Sequence, residues 1–360
     1  MWTPDELSSR GNAFMFRATN DCRFAADGHD MAAQPSALDL ICRPSGLTLG
    51  IELPLDNDWS VAGEAKRSAD GRPRGVPDLS GHTEYVRKVD AAGFAAIWMR
   101  DVPVFDSVRM GDAGSVYDIF TYLGFLAGIT QNVAIGTAAV VLPIRHPLMI
   151  AKAAASADAL SNGRLILGVA SGDRPIEYPL LGLDFESRGA RFRESVAYLR
   201  AAWQPGGLPV GDNQREPTFD LLPRPAQAAI PLVVAGRAQQ TDEWIAANMD
   251  GQFVYPGDIT QLTAQAGAWH AARGSDGAFI SAFHLDLADD PDEGATPHHF
   301  GARIGRHRFL DHLEALRRVG VDHLAVLLRR SSRPIDEVLD ELASEILPAL
   351  GATAPTVKAA

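Results

Sequence analysis

Cysteine is scarce in this chain. Its 360 residues include two, Cys22 and Cys42, both ahead of the regularly patterned part. A disulfide framework is therefore not expected, and the composition suits a reducing cytoplasm. Long apolar runs are missing too, and none reaches the length needed to span a bilayer. The first residues, MWTPDELSSR, lack the charged and apolar regions of a signal peptide, so a cytoplasmic protein is expected. Positive charge is in deficit: 33 Lys and Arg against 45 Asp and Glu give a net charge of -12. Nucleic acid is a poor partner for such a chain, because phosphate binding needs a basic face. His298 and His299 have no Cys or acidic partner at ligand spacing, so no metal site is expected.

What is present is a chain that is 46% hydrophobic, enough for one large domain with a substantial core. Residues 1–46 have no clear period and read as an N-terminal extension, at least partly disordered. From Leu47 to about Leu350 the pattern is regular, and residues 351–360 form a C-terminal tail. Eight apolar runs alternate with amphipathic, helix-period segments. The runs are LTLGIEL, FAAIWM, the two around Val133–Leu142 and Leu165–Ala170, IPLVVAG, GQFVYP, AFISAFHLDL and HLAVLLRR. Insertions follow the fourth helix (Pro205–Pro225) and the seventh strand (Ala288–Gly305). A long polar loop is expected after the first strand, with Ser80 capping the helix beyond it. This alternation describes a single (β/α)8 TIM barrel of class α/β, with a doubly wound open sheet as the alternative.

The densest information lies between Val133 and Glu194. A β-branched run stops at Pro143, a helical segment spans Pro147–Leu160, a Ser-Asn-Gly-Arg turn follows, and a buried run covers Leu165–Ala170. This is one βαβ unit with parallel strands. Small residues mark each strand's carboxyl end: Ala138 and Ala139, then Ala170, Ser171 and Gly172. Ligands bind at those ends in such folds, and small side chains leave room for something broad and flat.

The segments GTAAVVLPIRHP, SNGRLILGV and RGARFRE resemble the bacterial luciferase-like flavin-dependent monooxygenase superfamily, as do RDVPVFDSVRMGDAGSVYD and IPLVVAGRAQQ. The resemblance runs from Leu47 to about Leu350 and implies a cofactor, FMN, at the barrel mouth. It implies a cis peptide at Ala138–Ala139 beneath the flavin ring, with Ala170 near the ring as well. Arg191, Gly236, Arg237 and Ala238 are the implied phosphate contacts. Ser171 stands where luciferase has an arginine, which puts more weight on Arg237.

The resemblance also implies an oxidoreductase, most simply a monooxygenase acting with O2 on a small organic substrate. A separate NAD(P)H:flavin reductase would supply reduced flavin, and a homodimer is expected. F420-dependent hydride transfer and a non-catalytic flavin-binding protein are the alternatives. Luciferase's catalytic histidine has no counterpart here; Asp101 is the nearest ionisable residue, either as a base or, paired with Arg100, as a loop anchor. Glu52 or Leu53, Trp98, Asp101 and a lid from Asp286 to Gly305 are expected to line the substrate pocket, and His146 to start a helix. Arg164, at the barrel's amino end, reads as structural.

Overall fold

The computed structural model describes residues 36–44, 46–106, 108, 117–210, 214–274 and 277–352. The expected extension up to residue 35, the C-terminal tail from 353 and residues 107 and 109–116 of the RDVPVFDSVRMGDAGSVYD loop lie outside the described residues. Eight strands form the centre: β1 (Thr48–Glu52), β2 (Ala96–Met99), β3 (Ala134–Thr137), β4 (Leu165–Ala170), β5 (Leu232–Ala235), β6 (Gly251–Val254), β7 (Ala278–Leu287) and β8 (His323–Leu327). Each pairs in parallel with the next. β8 then pairs with β1, from Thr48 opposite His323 to Glu52 opposite Leu327. That last ladder closes the sheet and excludes the doubly wound alternative. The fold is a (β/α)8 barrel.

Eleven helices are described, in chain order: α1 (Ala37–Ile41), α2 (Val61–Ala69), α3 (His82–Ala92), α4 (Ile119–Ile129), α5 (Pro147–Leu160), α6 (Glu177–Leu180), α7 (Arg188–Ala202), α8 (Asp242–Asn248), α9 (Ile259–Arg273), α10 (Arg306–Arg318) and α11 (Ile335–Glu341). α11 continues through a π-helical turn, Leu342–Ile346, into Leu347–Ala349. At the start of α5, Pro147 occupies the first turn and the His146 side chain accepts the Leu148 N–H at 3.2 Å. The turn after α5 uses left-handed Asn162 (φ 55) and Gly163 (φ 78). Arg164 then donates to the carbonyls of Ser161, Thr130 and Val133, tying the amino ends of β3 and β4 together.

Three local features differ from the sequence reading. The loop after β1 contains α2, capped by the Ser60 hydroxyl. Ser80 does not cap α3, which starts at His82 behind Gly81; its hydroxyl is bonded to Asp78 instead. Both reflect competition between nearby polar groups for the same backbone donors, which composition alone does not decide. The third concerns residues 36–46. α1 carries a capping box between Ser36 and Asp39 and buries Ala37 and Ile41 against Ala96, Ala134, Ile166 and Ala278 inside the barrel. The segment just before β1 is part of the barrel's core.

Trp98 explains how the barrel interior is filled. It is fully buried, with its ring over Gly136 of β3, where an added Cβ would lie 2.2 Å from the indole. Its indole N–H donates to His323 Nε2 at 2.9 Å. Because indole nitrogen only donates, the histidine proton sits on Nδ1 and is given to Thr48 Oγ1 at 2.7 Å. Thr48 in turn donates to the Ile41 carbonyl at 2.5 Å. One chain of hydrogen bonds thus joins β2, β8, β1 and α1 across the core.

Candidate active site

The carboxyl ends of the strands open into a cleft of about 1260 Å³. That exceeds the usual range for a small ligand and leaves space for a cofactor beside a substrate. One wall is made by β3, β4 and β5. Thr137 ends β3 and its hydroxyl donates to the Gly168 carbonyl at 2.7 Å. The Ala138–Ala139 peptide is cis, as the resemblance implies. The Ala138 N–H is held by the Met99 carbonyl at 2.7 Å, and Val140–Val141 then resumes pairing with β4. Ala138, Ala139, Ala170 and Ser171 all line the cleft, giving a floor with almost no side-chain relief.

Beyond this floor the loop after β5 turns through Gly236 (φ 64), Ala238 (φ 45) and Gln239 (φ 62). Among the described residues, the N–H groups of Arg237, Ala238 and Gln239 have no protein acceptor. Free amides in a turn that mixes left-handed and other residues make a backbone nest suited to an oxyanion. Gly236, Arg237 and Ala238 line the cleft, and Arg237 rests on Asp242 at 3.0 Å. The amides that could hold an anion are those of the loop. The start of α8 is capped by Thr241 and carries Asp242 and Glu243 in its first turn, which repel an anion.

Not every expected residue reaches the cleft. Glu52 and Asp101 do; Arg191 and Trp98 do not. Arg191 is on α7 and donates to the Pro143 carbonyl at 3.0 Å, supporting the turn after β3 from behind. Its neighbours Arg188 and Arg193 are also engaged elsewhere, over the Phe185 ring and with Gln240. Trp98 points into the barrel interior, as alternation along a barrel strand requires for every second residue.

Asp101 is paired with Arg145, not Arg100. Arg145 binds both carboxylate oxygens, one of them at 2.8 Å, and the Val141 N–H donates to the same group at 3.0 Å. Burial raises its pKa against the opposing pull of Arg145. With both oxygens engaged, the geometry is that of an anchor fixing the segment after the alanine pair. Arg100 binds Glu52.

The opposite wall was anticipated from sequence only in the insertion after β7. It consists of Trp59 from the loop after β1, His284 from β7, Arg330 after β8, and His299 and Phe300 from the insertion after β7. Trp59 is fixed by its N–H to the Arg329 carbonyl at 2.8 Å. Arg329 is itself buried on Asp56 at 2.6 and 3.1 Å. His284 is 5% exposed, and burial, reinforced by Arg100 and Arg330, lowers its pKa to about 3, so it is neutral. A histidine near the carboxyl end of β7 and a double arginine ending β8 were the available signals. Among the described residues, no group of three or more His, Cys, Asp or Glu side chains could hold a metal ion.

A closed barrel, a flat alanine floor and a mouth cleft define a class of small-molecule enzyme, and the sequence comparison gives the family. Residues 59–344 match the luciferase-like monooxygenase family, and the chain belongs to it. Its members are oxidoreductases and monooxygenases. A similar curated protein is the oxygenase component of a flavin-dependent trigonelline monooxygenase from Acinetobacter baylyi, 34% identical over 132 residues, covering 36% of this chain and 37% of that protein. The chain spans less than two thirds of the length of the curated relatives it matches. Among solved structures, a monooxygenase from Streptomyces bottropensis aligns with a TM-score of 0.63 at 20% identity, over 84% of this chain and 99% of that one. An F420-dependent secondary alcohol dehydrogenase aligns with a TM-score of 0.66 at 15% identity, over 84% and 98%. At those identities the two structures speak for the fold alone.

Proposed function

We propose that this protein is an FMN-dependent monooxygenase that uses reduced flavin and O2 on a small organic substrate. The observation that carries the reading is the succession, along neighbouring strands β3, β4 and β5, of a flat alanine floor and an amide nest with an arginine. A planar ring system with an anionic tail fits that succession. Ala138, Ala139 and Ala170 would accept the ring, and Ser171 would border it. The amides of Arg237, Ala238 and Gln239, with the Arg237 guanidinium, would hold the phosphate. Arg191 would contribute from behind, through Pro143. When bound, the reduced flavin supplies the activation of dioxygen, and the protein orients the reactants and excludes water.

Asp101 serves this reading as the group that holds Val141 and Arg145 in place beside the floor. The cytoplasm is the proposed compartment, and among the described residues no helix is long and apolar enough to cross a membrane. A relative described as an oxygenase component favours a separate NAD(P)H:flavin reductase as supplier of reduced FMN. α4 leaves Phe125 45% exposed and is the proposed face of a homodimer. F420 is the second reading, since a deazaflavin would use the same floor and nest and one solved relative is F420-dependent.

Titration of the protein with FMN, riboflavin and F420 tests both. Arg237→Ala is expected to weaken FMN about tenfold, the value of one charge-assisted phosphate contact, and to leave riboflavin unchanged. Binding of F420 but not FMN selects the second reading. Binding of neither ends both.

A further inference from the structure

The wall opposite the alanine floor has polar groups that the protein itself leaves unmatched. Arg330 lines the cleft, and among the described residues no carboxylate lies within ion-pairing distance of it. Its Nε is buried without a hydrogen-bond partner. Of the other arginines of the cleft, Arg67 is on Glu64, Arg100 on Glu52, Arg174 near Glu177 and Arg237 on Asp242, while Arg74 shares with Arg330 the lack of a carboxylate partner among the described residues. His284 shows the same condition. It is 95% buried by complement of its 5% exposure, and its Nδ1 has no partner. A buried polar atom left unsatisfied costs roughly 1–3 kcal/mol, a cost that a ligand bonded to the remaining nitrogens of these two side chains would offset in part.

Between them lies flat apolar surface. The Trp59 ring centroid is 5.8 Å from the Arg330 guanidinium carbon and 5.7 Å from the His284 ring. Phe300 meets His284 edge-on at 5.5 Å and stacks with Tyr255 at 5.7 Å. Barrel order places this β7–β8–β1 wall across the mouth from the β4–β5 nest.

We propose that this wall binds the acidic end of a planar organic substrate, a carboxylate or sulfonate, with the acid on Arg330 beside His284 and the substrate's body against Trp59 and Phe300. The guanidinium offers a fork of donors matched to two oxygens, and the neutral imidazole adds one N–H. This deepens the oxidoreductase reading, on which it rests for calling the ligand a substrate. The binding site itself stands on Arg330, His284 and Trp59.

Calorimetric titration of the cofactor-free protein tests the proposal, with benzoate, benzenesulfonate and benzyl alcohol as probes. At least one acid is expected to bind, the neutral alcohol at least about tenfold more weakly, as loss of a charge-assisted bond requires. Arg330→Gln should lose the same factor for the acid and Arg330→Lys should recover part of it, with FMN affinity unchanged in both. Melting curves verify that the variants fold, and the acid–alcohol comparison on the unmodified protein needs no variant. No acid binding at millimolar concentration overturns the proposal. So does equal binding of acid and alcohol, or an acid affinity that Arg330→Gln leaves intact. If acids bind through Arg330 while neither FMN nor F420 binds, the anion site stands and the cofactor reading falls; the reverse result keeps the cofactor and removes the site. Which acid binds more tightly separates carboxylate from sulfonate.

Discussion

At Gly168 an added methyl group would lie 1.7 Å from the carbonyl oxygen of Thr137, an approach no side chain permits. Both are backbone positions in paired strands, so neither can step aside cheaply. Gly168→Ala is therefore expected to cost at least about 2 kcal/mol in urea unfolding, toward the upper end for overpacked cores. Because the displaced residue precedes Ala138, the same variant should also bind FMN less tightly. A loss within about 0.5 kcal/mol, typical of an uncrowded site, would contradict the close packing. This residue was legible only as part of the GRLILGV motif; nothing in its neighbours announces which atom it must avoid. Trp98 illustrates the opposite case. Strand and position were readable from FAAIWM, but a shift of one residue decides whether a side chain meets the cleft or the interior. Asp101 was readable as a charged strand-end group, yet its partner Arg145 is 44 residues away in sequence and was not.

Elements were more legible than contacts, because period and length are written locally while pairing is not. α5 and β4 have the bounds that Pro147, the Asn-Gly turn and the apolar run suggest. α1 was invisible for a physical reason: five residues cannot form a helix by propensity, and it exists through burial. Ile41 is wholly buried in the inner-barrel cluster, and the Ala37 N–H is held by Gln227 at 2.7 Å. Gln227 is fixed in turn by Asp158 and the Leu165 carbonyl, so the plug is joined to the amino ends of the strands. Ile41→Ala should thus behave as a core truncation, costing about 2–5 kcal/mol in denaturant unfolding, although it lies in what reads as an extension. A cost typical of surface positions would mean that α1 is not integral to the barrel. The insertion after β7 was expected to cover the substrate pocket, and the fold shows how it reaches the cleft. Its Gly301–Ile304 strand pairs alongside β7, and the turn before it carries His299 and Phe300 to the cleft.

Across the whole molecule, the buried histidines couple folding to acidity. His82, His284 and His323 ordinarily titrate at 6.5; burial lowers them to about 4, about 3 and about 3. The sign follows from which state binds protons. Above pH 6.5 these groups are neutral whether folded or unfolded and contribute no pH dependence. As pH falls below 6.5 the unfolded chain takes up protons that the folded protein refuses, so stability drops. Each histidine adds up to about 1.4 kcal/mol per pH unit to that slope until its folded pKa is reached. Asp56 and Asp101 work in the opposite sense, since burial raises them and the folded state protonates first, offsetting part of the loss. A single variant isolates the histidine contribution from theirs. His82 is bonded to the Tyr122 hydroxyl away from the cleft, and no carboxylate contributes to its shift. His82→Phe should cost stability at every pH by leaving that hydroxyl unpaired. It should also flatten the fall between pH 6.5 and 4 by up to about 1.4 kcal/mol per unit, read from urea midpoints at successive pH values. Parallel curves for the two proteins would show that His82 takes its proton as readily folded as unfolded.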